Sequence, residues 1–365
     1  MLRFFAVWFG LPVLFLTLGG VIAVLLVIQQ GKNLAADGNW FETPIGIDTS
    51  FYLDIDGVAH FVRIRGRDRD NPVLVDLHGG PGAAQSGYTH RTLRPLTEYF
   101  TLVEWDQRGA GRTEPGTPSD ATYERLVADT IAIIEEVRTR LSVERIVLVG
   151  HSWGSMLGLG VAQERPDLLY GYVGVGQGLA WRATFDETQR LLIDEARRTQ
   201  NVEAERILTD LPSEWPDARN PRAILDRIAT IHAFLGPMGH GMHASHSGAY
   251  MRSNLFLDTI VSPDTSLMEA YRMLSASDTI LALVGDLHDR DFRTDLNRTY
   301  DVPIFIFQGE HDWQTPTSLV RPWFDAIEAP HKHYVAFRDS GHFIIHEEPG
   351  RYLIELVTRV RPYAE

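Results

Sequence analysis

The chain has 365 residues, with 34 Lys and Arg against 48 Asp and Glu, a formal net charge of −14 and no cysteine. This length suits one large domain or a domain with an insertion, and 44% hydrophobic with 22% charged residues is a globular composition. The negative balance opposes nucleic-acid binding, and the absence of Cys excludes a disulfide framework, a thiol nucleophile and Cys-ligated zinc.

Phe4 to Ile28 is a run of 25 residues without a charge. As a helix it reaches ~37 Å, enough to cross a hydrocarbon core ~30 Å thick with some tilt. The expectation is an anchor over residues 1–30, with the lipid bilayer met through residues 4–28. A cleaved signal peptide is the rival, since Leu34-Ala35-Ala36 offers small residues, but its apolar region is normally about 7–15 residues. Arg3 before the span and the Lys32/Asp37 pair after it favour a cytoplasmic N-terminus and an extracytoplasmic domain. Residues 31–44 read as a linker.

Strand and helix signals then alternate. Phe51–Ile55 and Phe61–Ile64 flank Asp56-Gly57, a hairpin turn pair. Val73–Leu77 and Thr101–Glu104 are short buried runs. Between Ser119 and Leu141, apolar residues at Tyr123, Leu126, Val127, Ile131, Ile134 and Val137 follow a helical period. Ile146–Val149 is a buried strand, followed by a small-residue helix to about Glu164 and a strand over Tyr172–Val175. Such alternation predicts an α/β fold with a largely parallel sheet covered on both faces. Residues 45–178 form the first part of this core. Residues 179–298 carry helical, polar signals and read as a helical cap, and the core resumes over residues 299–365 with strands at Pro303–Phe307 and His333–Phe337 and a helix from about Glu348.

Gly150-His151-Ser152-Trp153-Gly154 lies between a buried strand and a helix. A sharp strand-to-helix turn exposes the serine hydroxyl beside a helix N-terminus, where developing negative charge is favoured. A serine needs a base and an orienting acid, which in this architecture follow in the order Ser, acid, His, each just past a later strand. Asp312 and His342 occupy those slots. Glu310 is the alternative acid, Asp339 a loop residue, and His78, His151 and His311 structural. The backbone N–H of Trp153 is one candidate oxyanion donor, and the loop Leu77-His78-Gly79-Gly80-Pro81-Gly82 should supply the other.

His78-Gly79-Gly80-Pro81-Gly82, Asp106-Gln107-Arg108-Gly109-Ala110-Gly111-Arg112 and Gly150-His151-Ser152-Trp153-Gly154-Ser155 together resemble the signature set of the prolyl iminopeptidase branch of α/β-hydrolases. The resemblance covers roughly residues 45–180 and 300–360. It implies an α/β-hydrolase fold with a helical cap, Ser152 as nucleophile, Asp312 as acid, His342 as base, and Gly80 and Trp153 as oxyanion donors. The Asp106–Arg112 segment is expected to be a structural loop beside the site.

The branch implies an aminopeptidase releasing N-terminal residues, proline most typically, from short peptides, with ester, amide or lactone hydrolysis as the alternative. A catalytically dead binding module is a third reading, against which the intact Ser, Asp and His pattern argues. No cofactor or metal is implied. Glu187, Asp194 and Glu195 could hold a substrate amine, but read more simply as a solvated helix face with Asp186–Arg190 and Asp194–Arg198 pairs. Ile231 to Tyr250 has no charged residue, yet holds His232, His240, His243 and His246. Without a nearby carboxylate or i,i+4 spacing, these histidines are expected to line a pocket or hinge rather than bind a metal.

Overall fold

The computed structural model describes residues 11–36, 40–90, 92–240, 257–273 and 277–365, with side chains from residue 20 onward. Ile47–Ile55 (β1) and Val58–Gly66 (β2) form the expected hairpin, with Ile55 opposite Val58. Its turn residues Asp56 and Gly57 have φ of 50° and 79°, the left-handed pair that matches strand twist in a two-residue loop. Val73–Leu77 (β3), Thr101–Trp105 (β4), Ile146–His151 (β5), Leu169–Val175 (β6), Ile304–Gly309 (β7) and Lys332–Phe337 (β8) complete an eight-stranded sheet in the order β1-β2-β4-β3-β5-β6-β7-β8. From β4 onward every neighbour is parallel; only β1–β2 and β2–β4 are antiparallel.

Parallel strands need crossovers, and the helices Tyr123–Leu141 and Trp153–Glu164 supply them. The first is started by the Thr122 side chain, which accepts the Arg125 N–H, and stopped by Ser142 in the left-handed region. Alternate residues of each strand feed separate cores. Val73, Val75 and Leu77 join Val103, Leu126 and Ile134 on one face, while Leu74, Leu102, Phe305 and Phe337 meet Leu96, Tyr352 and Leu356 on the other.

Between β6 and β7 the described residues form helices: Trp181–Arg198, Val202–Thr209, Pro221–His232, Leu267–Met273, Asp278–Leu287 and Phe292–Asp295. The excursion leaves and returns at one point, where Phe292 N–H donates to Leu179 O at 2.7 Å and Ala180 bridges Asp291.

Two expectations need correction. The N-terminal helix runs from Leu11 to Ala35, so residues 31–35 of the expected linker are helical. Its end is fastened to the domain: Lys32 Nζ donates to Ser262 O at 3.0 Å and also to Thr265 O. Trp40 adds a second fastening, stacked by Arg67 and Arg94 and donating to Thr97 Oγ1 at 3.1 Å. Of the expected span, residues 4–10 and the side chains of residues 11–19 lie outside the described residues. Among the described residues no helix is long and apolar enough to cross a membrane. The second correction concerns charge pairing on Trp181–Arg198. Arg190 bonds Glu187 and Asp194, Arg198 bonds Glu195, and Asp186 accepts the indole N–H of Trp215.

The second core holds an acidic pair. Asp76 on β3 stands opposite Glu104 on β4, both 7% exposed, because Asp76 occupies an inward position of its strand. Burial, then the charge of Glu104, pushes the Asp76 carboxyl up to about 8. Burial also raises Glu104, against the Thr89 hydroxyl and Arg65. The folded chain therefore keeps a proton that the unfolded chain releases near 3.8, so stability falls as pH rises from about 4 through about 8. Asp76→Asn should flatten that decline when urea midpoints are followed from pH 5 to 9. Parallel declines in both proteins would place the proton elsewhere.

Candidate active site

Ser152 sits in the turn between β5 and the helix Trp153–Glu164, at φ 56° and ψ −118°. This is a strained backbone for a residue with a side chain, and its neighbours hold it there. Ser152 N–H donates to Val175 O at 2.9 Å, and Ser155 Oγ donates to Ser152 O at 2.5 Å. The two glycines of the motif are needed for close approach. A Cβ on Gly150 would lie 2.4 Å from Gly154 O, and one on Gly154 would lie 2.1 Å from Leu77 O. Both obstacles are backbone, so no side-chain movement relieves them.

Asp312 and His342 come together from the loops after β7 and β8. His342 Nδ1 and Asp312 Oδ2 are 2.9 Å apart, with 1% and 0% side-chain exposure. Asp312 is held from all sides. Its Oδ1 accepts the N–H groups of Gln314 and Thr315 at 2.9 and 2.8 Å, and its Oδ2 accepts Thr315 Oγ1 at 2.7 Å and Gln308 Nε2 at 3.0 Å. Burial alone pushes the Asp312 pKa up, but His342 and the Thr315 donors outweigh it and hold the carboxyl below the usual carboxylate range. It is ionised at neutral pH.

Among the described residues His342 Nε2 has no hydrogen-bond partner. The His342 ring lies 4.8 Å from that of His151, the residue preceding Ser152, and His151 Nε2 is 3.0 Å from His342 O. Burial, then the charge of His342, pushes the His151 pKa down to about 3, so this second imidazole is neutral. Glu310 and Asp339 are exposed. His311 faces His240, with ring centroids 6.0 Å apart, and His240 stacks on Trp313 at 3.5 Å. His243 and His246 lie outside the described residues.

Gly80, Ser152 and Trp153 line one cavity of about 360 Å³. The Gly80 loop is positioned by the Asp106–Arg112 segment. Gln107 N–H donates to His78 Nε2 at 3.0 Å, its Nε2 donates to His78 O at 2.8 Å, and its Oε1 accepts the Trp153 indole N–H at 2.9 Å. One glutamine thus ties the glycine loop to the start of the serine's helix. Arg108 fixes the segment below, through two bonds of 2.7 and 3.0 Å to buried Asp129.

The rest of the cavity wall is mostly apolar, with Thr184, His232, Gln314 and Thr315 as its polar residues. Trp181, Phe185, Leu225, Ile228, Ile280 and Val284 come from the insertion, and Met156 from the serine's helix. Among the described residues no Asp or Glu lines it. Glu187, Asp194 and Glu195 are paired with arginines along Trp181–Arg198, and none of them lines the cavity. Sequence reasoning missed Gln308, Thr315 and the cavity face of Trp181. For Thr315 a signal existed: a residue three after an Asp in a turn commonly donates its N–H back to that carboxylate.

A serine at a strand–turn–helix corner of a mostly parallel sheet, under a helical insertion, is the architecture of α/β-hydrolases. The family model for serine aminopeptidase, S33, matches residues 77–349, and the chain belongs to that family of hydrolases. A probable aminopeptidase of Bacillus subtilis (strain 168) is 26% identical over 328 residues, covering 85% of this chain and 95% of that protein. A proline iminopeptidase of Neisseria meningitidis is 27% identical over 276 residues, covering 73% of this chain and 82% of that protein. Among solved structures, a proline iminopeptidase-related protein of Thermus thermophilus matches at a TM-score of 0.62 and 19% identity, over 87% of this chain and 99% of that one. An esterase of Exiguobacterium antarcticum matches at 0.57 and 18%, over 86% and 100%. These two structural likenesses establish the fold.

Proposed function

We propose that this chain hydrolyses its substrate through an acyl-enzyme on Ser152, with His342 as base and Asp312 as the acid that orients it. The supporting observation is the 2.9 Å contact between buried, ionised Asp312 and His342 Nδ1, which leaves Nε2 unbonded for the serine hydroxyl. Ser152 Oγ attacks the scissile carbonyl carbon as its proton passes to His342 Nε2. The oxyanion is held by the N–H groups of Gly80 and Trp153. The tetrahedral species collapses, and the leaving group takes the proton from His342. Water, activated by the same imidazole, then releases the acyl group and restores Ser152.

The acyl group that suits this cavity is small and uncharged. A free ammonium brought against these walls would lose its hydration with no carboxylate to replace it, at a cost of several kcal/mol. Esters, lactones and amides without a free amine are therefore favoured. Release of N-terminal proline from short peptides is the second reading, supported by the family and by relatives named for that activity. We also propose that the charge-free stretch Phe4–Ile28 anchors the enzyme in a bilayer as a single span, with the catalytic domain extracytoplasmic. The rival is secretion after signal cleavage.

One experiment compares the full chain with a version beginning at Gly31, which keeps the Lys32 contacts. Each is fractionated, then given a prolyl arylamide, its amine-blocked counterpart and a short acyl ester. The full chain should stay with membranes while the shorter one leaves them, and the blocked amide or ester should be turned over at least as well as the free amine. Exclusive use of the free amine would reverse the order of the two substrate readings. Membrane association of the shorter chain would remove the lone anchor.

A further inference from the structure

Two polar groups on the insertion's side of the cavity have no hydrogen-bond partner among the described residues. Trp181 is 7% exposed and its Nε1–H makes no hydrogen bond; His232 Nε2 is likewise buried and unbonded. Both residues line the cavity that Ser152 lines. Both pack on Phe185, whose ring centroid lies 5.5 Å from that of Trp181 and 5.4 Å from that of His232. Buried donors and acceptors are nearly always satisfied, and two unsatisfied ones on a single cavity wall point to a group that arrives with the substrate.

The chemistry of the pair is narrow. An indole N–H can only donate. Burial, then the charge of nearby His342, pushes the His232 pKa down to about 4, so at neutral pH its ring offers one donor and one acceptor nitrogen. An ammonium is mismatched, because it would point N–H at N–H at Trp181. A carboxylate is mismatched too, since it would bring a second buried negative charge toward ionised Asp312. A secondary amide satisfies both residues: its carbonyl oxygen accepts from Trp181 Nε1–H, and its N–H donates to His232 Nε2 when the ring proton is on Nδ1.

We infer that Trp181 and His232 form a receptor for a neutral amide within the acyl part of the substrate, so that N-acylated amino-acid derivatives are preferred over plain alkanoyl compounds. This inference rests on the acyl-enzyme reading of Ser152 and adds the substrate class to it.

The test uses the full chain in detergent and two p-nitrophenyl esters of equal acyl length, N-acetylglycyl and pentanoyl, with each kcat/KM divided by that ester's own hydroxide rate. The wild type should prefer the N-acetylglycyl ester, and Trp181→Phe and His232→Phe should each cut that preference about 5- to 20-fold, chiefly through KM. An unchanged preference, or equal losses on both esters, would reduce the two residues to packing and overturn the inference. Calorimetric binding of N-acetylglycine N-methylamide reads the same wall without turnover. It should weaken about 5- to 20-fold in both variants, and equal affinity in all three proteins would overturn the inference by itself. Labelling of Ser152 by a fluorophosphonate separates a failure of the acyl-enzyme reading, which abolishes the label, from a failure of the wall, which leaves it intact.

Discussion

Ser152→Ala lowers kcat by about 10⁵-fold or more and leaves thermal stability close to that of the parent. The two halves of this expectation have separate causes. Activity falls because the methyl group cannot form the acyl-enzyme, and the oxyanion donors and cavity alone give only residual catalysis. Stability holds because the Ser152 side chain makes no capping bond to the helix it precedes. Ala also tolerates φ 56° no worse than Ser, since both carry a Cβ. The change is read by single-turnover kinetics on a short acyl ester together with a melting curve. Activity within about 100-fold of the parent, with the fold intact, would move the nucleophile away from this turn.

Asp312→Asn carries the second largest effect, a loss of about 10³- to 10⁴-fold in kcat. Oδ1 of Asp312 accepts two backbone N–H groups, while Oδ2 accepts the Thr315 hydroxyl and the Gln308 amide and meets His342 Nδ1 at 2.9 Å. An asparagine can satisfy the two backbone groups with its oxygen, but its NH₂ then faces Gln308 and His342 as donor against donor. His342 is forced to the tautomer with its proton on Nε2, and that nitrogen can no longer accept from a serine. The chain should still fold, because the backbone bonds that shape the Gln314–Thr315 turn survive. Steady-state kinetics measures the loss, and a loss below about tenfold would show that another group orients the histidine. Glu310 is poorly placed for that role, being exposed.

The sheet was legible in the sequence wherever a short, mostly apolar run leads into a glycine turn, as at Val73–Leu77, which only Asp76 interrupts, and at Ile146–Val149. The hairpin was legible from Asp56-Gly57, because few other dipeptides supply two left-handed residues cheaply. Ser152, Asp312 and His342 stand out in the sequence as candidates because each follows a strand closely and in the order Ser, acid, His. What stayed hidden depends on side chains meeting across long separations. Gln107 reaches both His78 and Trp153, 29 and 46 residues away. The uncharged cavity wall is another case. Glu187, Asp194 and Glu195 share a helix with Trp181 and Phe185, and only the packing decides which face turns inward. Residues 31–35 are helical for a related reason. Gly31 and Asn33 are poor helix formers, but Gly31 packs close to Val261 and Lys32 is anchored to Ser262, so tertiary contacts override propensity.

Ser152, driven by the Asp312–His342 pair, is the proposed nucleophile. This role is tested most directly by reacting the full chain with a fluorophosphonate, mapping the adduct by peptide mass, and following the labelling rate in His342→Ala and Asp312→Asn. The expected result is a single adduct on Ser152, formed at least about 100-fold more slowly in both variants. An adduct on any other residue, or labelling of Ser152 at the parent rate without His342, would contradict it.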